Sequence, residues 1–106
     1  MPIVKLANLS AKNVFPGVSG RYAHTEKLTL GEVELAADVV VPLHQHPHEQ
    51  LSYVLAGSVE FTVGGETRVL DAGMCALIPS GVTHGVRTRT TCRLLDIFTP
   101  VREDYR

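Results

Sequence analysis

The sequence predicts an all-β domain with little or no helix, and three observations carry that prediction. Glycine and proline punctuate the chain: Pro16-Gly17, Gly20, Gly31, Pro42, Pro47, Gly57, Gly64-Gly65, Gly73, Pro79, Gly81, Gly85 and Pro100. Few of the intervals are long enough for an ordinary helix. The intervals themselves are rich in Val, Leu, Ile, Thr, Tyr and Phe, which suit a pleated, half-buried surface. Two turns also stand between strand-like runs. Ala56-Gly57-Ser58 separates YVL from VEFTV, and Gly64-Gly65 separates FTV from the run through Thr67–Leu70. Many short strands with turns between them make a sandwich or barrel.

Taken in order, strands are expected near 2–6, 21–30, 32–41, 50–56, 58–63, 67–71, 74–78, 83–89 and 91–98. The first fifteen residues read as an arm, residues 30–98 as the core barrel and 99–106 as a tail. In the segment 32–41, Val33, Leu35, Ala37, Val39 and Val41 share one face. Glu32, Glu34 and Asp38 share the other, which is the period of two that a strand requires. The paired glycines at 64 and 65 fit a tight hairpin, because glycine reaches positive φ at little cost. The 106 residues suffice for one domain with a modest core, with no internal repeat and no linker.

Composition removes several function classes. Ten basic and eleven acidic residues leave a formal net charge of −1, so electrostatics point to neither nucleic acid nor an anionic membrane. No apolar run approaches the ~20 residues of a membrane span. Residues 1–15 have neither a basic start nor a long apolar segment, so no secretory signal is expected. Cys75 and Cys92 form neither a CxxC pair nor a disulfide framework, and a cytoplasmic protein with reduced thiols is expected.

Chemistry concentrates in His44-Gln45-His46-Pro47-His48-Glu49-Gln50. On an extended chain, His44 and His46 point to one face and can chelate one metal ion. Gln50 can return to that face once a strand resumes after Pro47. Glu49 then faces away, unless the bend at Pro47 shifts the register by one residue. His84, in Pro79-Ser80-Gly81-Val82-Thr83-His84, can add an imidazole from a neighbouring strand. His48 is open between supporting a ligand, contacting substrate and plain exposure. His24 reads as a surface or hydrogen-bonded histidine.

These residues resemble the cupin superfamily. Its first motif, G-x5-HxH-x3/4-E-x6-G, is matched by His44-x-His46-x3-Gln50-x6-Gly57, with Gln for Glu and Asp38 at the leading glycine. Its second, G-x5-PxG-x2-H-x3-N, is matched from Gly73 through Pro79, Gly81 and His84, with Thr88 at the final Asn. Within that superfamily, HQHPHEQ is similar to the HxHPHEQ string of the KdgF-type pectin-degradation cupins. The ending Asp96-Ile-Phe98-Thr-Pro100-Val-Arg102-Glu-Asp104-Tyr105 is similar to that group's Asp-x-Phe-x-Pro-x-Arg-x-Asp-aromatic ending. That group ketonises unsaturated monouronates released by pectin and alginate lyases.

The resemblance implies a jelly-roll barrel holding one divalent transition metal ion on His44, His46, Gln50 and His84. It implies Asp96 and Arg102 as catalytic residues, and Ser52, Phe98 and His48 as substrate-facing ones. Ser52 stands where the group often has an amide, two residues after the ligand Gln. The ion expected is Ni, Zn, Mn, Fe or Co. Three neutral imidazoles and an amide leave such an ion its full charge, which suits an anionic, oxygen-rich sugar acid. Asp96 lies in Leu94-Leu95-Asp96-Ile97-Phe98, where a carboxylate is out of place unless paired or functional. Arg87, Arg89 and Arg93 are its alternative partners. Asp96 could protonate the carbon of an enol, and Arg102 could hold a carboxylate bidentately; the alternative for Arg102 is an exposed tail charge. Competing readings are an Fe(II) cupin dioxygenase and a non-catalytic module for a small anion. Finally, if Gln50, Ser52 and Val54 face inward, Leu51, Tyr53 and Leu55 need a cover, and a homodimer is expected on that face.

Overall fold

The computed structural model describes residues 3–106. The larger of two antiparallel sheets contains, in order, β1 (Lys12–Phe15), β2 (Val18–His24), β3 (Thr29–Leu35), β10 (Cys92–Thr99), β5 (Glu49–Ala56) and β8 (Cys75–Ile78). The smaller contains β4 (Val40–His44), β9 (His84–Thr88), β6 (Val59–Val63) and β7 (Glu66–Leu70). Helical backbone among the described residues is limited to two short 3-10 turns, Leu6–Asn8 and Glu103–Tyr105.

Alternation sets what faces inward. Along β10, Cys92, Leu94, Asp96 and Phe98 are buried, and along β5 Gln50, Ser52 and Val54 are buried. Of these, Cys92, Leu94, Phe98 and Val54 join Val33, Leu35, Val41, Val59, Phe61 and Ile78 in one core. Two strands thus carry polar side chains in rows that otherwise supply the hydrophobic interior. β10 places Asp96 in register with Ser52 on one side and Gly31 on the other. Gly31 is required there: a Cβ would come within 2.4 Å of the Tyr22 ring.

Several expected strands are redrawn. Residue 2 lies outside the described residues, and residues 3–5 belong to no strand. Ile3 and Val4 remain exposed, so their apolar character finds no sheet face to join. The first strand is instead β1, which turns through Pro16-Gly17 to pair with β2. The segment 21–30 is broken by the turn between His24 and Thr29, which are paired residues of two strands. The segment 32–41 is broken at Ala37-Asp38, where Asp38 adopts φ 59° and carries the chain to the other sheet. Val33, Leu35, Val39 and Val41 are still buried, but Ala37 is exposed in the turn. At Gly57 (φ 84°) the chain crosses sheets again, so β5 and β6 do not form a hairpin. Gly64 (φ 55°) and Gly65 (φ 87°) do close the β6–β7 hairpin, both in the left-handed conformation that a tight two-residue turn needs.

Two of the three departures from the cupin motifs, Asp38 and Thr88, meet at one turn. Thr88 is buried, donates its hydroxyl to Ala36 O at 2.7 Å and accepts from Val39 N at 3.0 Å. Its side chain therefore closes the turn that Asp38 occupies. Aspartate is among the few non-glycine residues that tolerate positive φ.

Candidate metal centre

His44, at the end of β4, is paired in register with His84, the first residue of β9. His46 follows in the loop. The loops are stitched together by Gly81 N–H donating to His46 O at 2.9 Å and Ser80 Oγ donating to Pro47 O at 2.5 Å. The ring centroids of His44 and His46 lie 5.9 Å apart, those of His46 and His84 4.8 Å, and those of His44 and His84 4.3 Å. One ligand nitrogen from each falls within 4.8 Å of the other two.

Each ring is oriented the same way. Nδ1 of His44 meets Pro42 O at 2.8 Å, Nδ1 of His46 meets His48 O at 3.0 Å, and Nδ1 of His84 meets Val82 O at 2.9 Å. A carbonyl only accepts, so each Nδ1 carries the proton and each neutral ring keeps its lone pair on Nε2. Burial pushes the pKa values of His46 and His84 down, which favours the neutral ring.

The donor set fits a metal cation on two observations. His84 Nε2 is buried and has no hydrogen-bond partner. His46 Nε2 lies 3.0 Å from Gln50 Oε1, because the Gln50 amide nitrogen is committed to Ser52 Oγ at 2.9 Å. In these tautomers the nitrogen and the amide oxygen both present lone pairs. Two acceptors so close repel unless a cation is shared between them. His44, His46, His84 and Gln50 can therefore hold one metal ion through three imidazole nitrogens and an amide oxygen, a borderline-to-hard set without negative charge.

From Gln50 a polar line runs along the barrel wall. Ser52 is fully buried and donates its hydroxyl to Asp96 Oδ1 at 2.6 Å. Burial pushes the Asp96 carboxyl up to about 6, even though hydrogen bonds from Ser52 and Gln50 pull it down. The arginines that the sequence offers to Asp96 are not its partners: β10 turns Arg93 outward to Glu32 at 3.2 Å, and Arg87 and Arg89 are exposed. Arg102 is no exposed tail charge. It is 8% exposed, and its guanidinium carbon lies 4.0 Å from the centroid of the Tyr105 ring and 4.7 Å from that of Phe98.

One cavity of about 60 Å³ brings most of these groups together. His44, His46, Gln50 and His84 line it with Ser52, Asp96, Phe98 and Arg102, over an apolar floor that includes Val33, Leu35 and Phe61. His48 is the exception. It stands outside that lining, edge-on to Phe98 with centroids 6.4 Å apart, and its buried Nδ1 has no partner. Glu49 is exposed and faces away from Gln50, as strand alternation requires. Tyr53 lies on the outer face.

Two contributors, Tyr22 and Thr29, escape sequence reasoning, whereas Tyr105 is the aromatic of the ending quoted above. Tyr22 and Tyr105 stack with centroids 4.6 Å apart, and both line the cavity. Thr29, buried, accepts from the Arg102 backbone N–H at 2.8 Å and lies 2.8 Å from His24 Nδ1. His24 is thus hydrogen-bonded, as its isolated position suggests. Nothing in the local pattern of Thr29 announces a partner 73 residues away.

The Cupin domain family profile matches residues 31–98. The pectin degradation protein KdgF of Dickeya dadantii (strain 3937) is 35% identical over 75 residues, spanning 69% of this chain and 68% of that protein. The solved structure of KdgF from Halomonas sp. superposes with a TM-score of 0.84 at 32% identity, covering 92% of each chain. The dimethylsulfoniopropionate lyase DddQ of Ruegeria pomeroyi is 37% identical over 73 residues, which span 68% of this chain and 36% of that longer protein.

Proposed function

The chain belongs to the cupin domain family, and on that premise we propose that it is a metal-dependent enzyme that ketonises an unsaturated uronate or a similar sugar acid. The observation that carries the proposal is Asp96. It is a buried carboxyl, pushed by burial well above the usual carboxylate range, on the wall of the cavity that also holds three converging imidazoles and a buried arginine. Its likeness to two KdgF proteins supports the substrate class.

The substrate is an enol ether whose double bond carries the carboxylate. Ring opening frees an enol. Ketonisation then needs one proton delivered to the neighbouring carbon and one removed from the enol oxygen, with nothing oxidised or reduced. A carboxyl that burial holds above the usual carboxylate range can serve both transfers, because it gains and gives up a proton more evenly near neutrality than an ordinary carboxylate. Ser52, donating to Oδ1, fixes which oxygen of Asp96 remains for the substrate. Arg102 offers a guanidinium to the substrate carboxylate, and Phe98 packs beside it. His44, His46, Gln50 and His84 would hold a divalent Ni, Zn, Mn, Fe or Co ion, which would supply Lewis-acid chemistry at a substrate oxygen.

The test follows the ultraviolet absorbance of the conjugated uronate with metal-loaded protein and a chelated control. Metal-dependent loss of signal above the spontaneous rate is expected. No acceleration with metal bound overturns the proposal. Oxygen uptake with ferrous iron would instead assign a dioxygenase, and tight binding without turnover a small-anion module. We place the reaction in the cytoplasm, in keeping with the free thiols of Cys75 and Cys92.

A second proposal concerns assembly. On the outer face of the larger sheet, Leu77, Leu51, Ile97, Leu30 and Ala23 stand in one row across five strands. Leu77 is 67% exposed and Leu51 41%. The solvated face of an antiparallel sheet is normally polar, and a second copy of the chain is the proposed cover. Sedimentation should find a dimer at micromolar concentration and a monomer for Leu51→Lys. A wild-type monomer sinks the idea.

A further inference from the structure

The side chain of Arg102 is gripped by its own tail. Asp104 accepts from Arg102 Nε at 3.0 Å and from Nη2 at 2.8 Å, a two-point match of carboxylate to guanidinium. The pair is asymmetric: the Arg102 side chain is 10% exposed and that of Asp104 58%. The guanidinium plane is also held over the rings of Tyr105 and Phe98, and its backbone is pinned to Thr29. The ion pair pulls the Asp104 carboxyl below the usual range.

A guanidinium has five N–H donors in a rigid fork. Asp104 takes the edge made by Nε and one Nη2 hydrogen. Neither bond uses Nη1, so the edge made by Nη1 and the second Nη2 hydrogen is left for another carboxylate. We propose that Asp104 is a positioning residue: by occupying one edge of Arg102 it fixes the rotation of the guanidinium and presents the other edge to the substrate carboxylate. Asp104 itself does not touch substrate. The inference rests on the sugar-acid reading above and names what makes Arg102 selective for a carboxylate.

The sign of its effect separates positioning from charge. Coulomb's law alone says that deleting a negative charge beside an anion site tightens anion binding. Positioning says the reverse. The experiment uses zinc-loaded protein with 15N-labelled arginine, and saturated D-galacturonate as the probe, titrated calorimetrically. Asp104→Asn should weaken binding about tenfold, on the scale of one charge-assisted hydrogen bond, and should remove the Arg102 Nε–H signal. Arg102→Lys assigns that signal by its absence, and in its background Asp104→Asn should change nothing further. Tighter or unchanged binding in Asp104→Asn overturns the assignment, as does an equal loss in the Arg102→Lys background. Should wild type fail to bind galacturonate, the substrate reading falls. The Nε–H signal then decides alone, and its persistence in Asp104→Asn overturns the assignment.

Discussion

The histidine wall and the acid wall of the cavity are built in opposite ways. Every imidazole is oriented by a carbonyl two residues away, on the same loop or strand end. Asp96 is oriented by Ser52, 44 residues distant, and the Arg102 backbone by Thr29, 73 residues distant. One wall is therefore set by local chain geometry, the other by the closure of the barrel and the return of the tail. Metal affinity should be robust to changes elsewhere in the fold. Proton transfer and carboxylate binding should be sensitive to them.

The largest expected effect breaks the local wall itself. His84→Ala removes the imidazole whose Nε2 is buried without a partner, and metal content by elemental analysis should fall to background, with turnover at the spontaneous rate. Full metal occupancy in that variant would contradict the ligand assignment. Next comes the distant wall. Asp96→Asn should retain metal but lose about 10²–10⁴-fold in turnover, the range for removal of a general acid or base. Parallel loss of metal would mean the two walls are not independent.

Asp96 also predicts a pH dependence in the metal-free protein. Its folded pKa is raised above the unfolded value of 3.8 to about 6. The native state thus holds the proton more tightly than the unfolded chain. The stabilisation is fully present below the unfolded pKa and is lost as pH rises through the folded one. The loss should be about 3 kcal/mol, at ~1.4 kcal/mol per unit. Urea unfolding at pH 3 and pH 7 measures it, and Asp96→Asn should flatten this component of the slope. An unchanged slope in that variant would remove Asp96 as the source.

The same division explains what the sequence discloses. His44-x-His46-x3-Gln50 and Pro79-x-Gly81-x2-His84 are readable because their geometry is local: alternation and short turns put the side chains on one face. Asp96 is readable as a carboxylate in an apolar strand, since Leu94 and Phe98 share its parity. Thr29 and Tyr22 are not readable in this way. Their partners are chosen by sheet order and by the path of the tail, which no spacing encodes. Strand ends fail for a related reason. The turn at Asp38 preserves the alternation of Val33, Leu35, Val39 and Val41, so two strands in different sheets carry one continuous pattern.

The smallest effect sharpens the comparison most. Thr88 ties the end of β9 to the turn at Ala36–Val39 by giving one hydrogen bond and taking another. Thr88→Val keeps the shape and deletes both, leaving a backbone N–H and a carbonyl unpaired beside a buried side chain. That should cost about 2 kcal/mol, within the 1–3 expected for an unsatisfied buried group, read as a shift of the urea midpoint without a change of slope. His84 lies at the opposite end of β9 and takes its orientation from Val82. Metal affinity of Thr88→Val should therefore equal that of wild type once both are folded. A drop in affinity would show that β9 transmits strain along its length, and the histidine wall would no longer count as locally built.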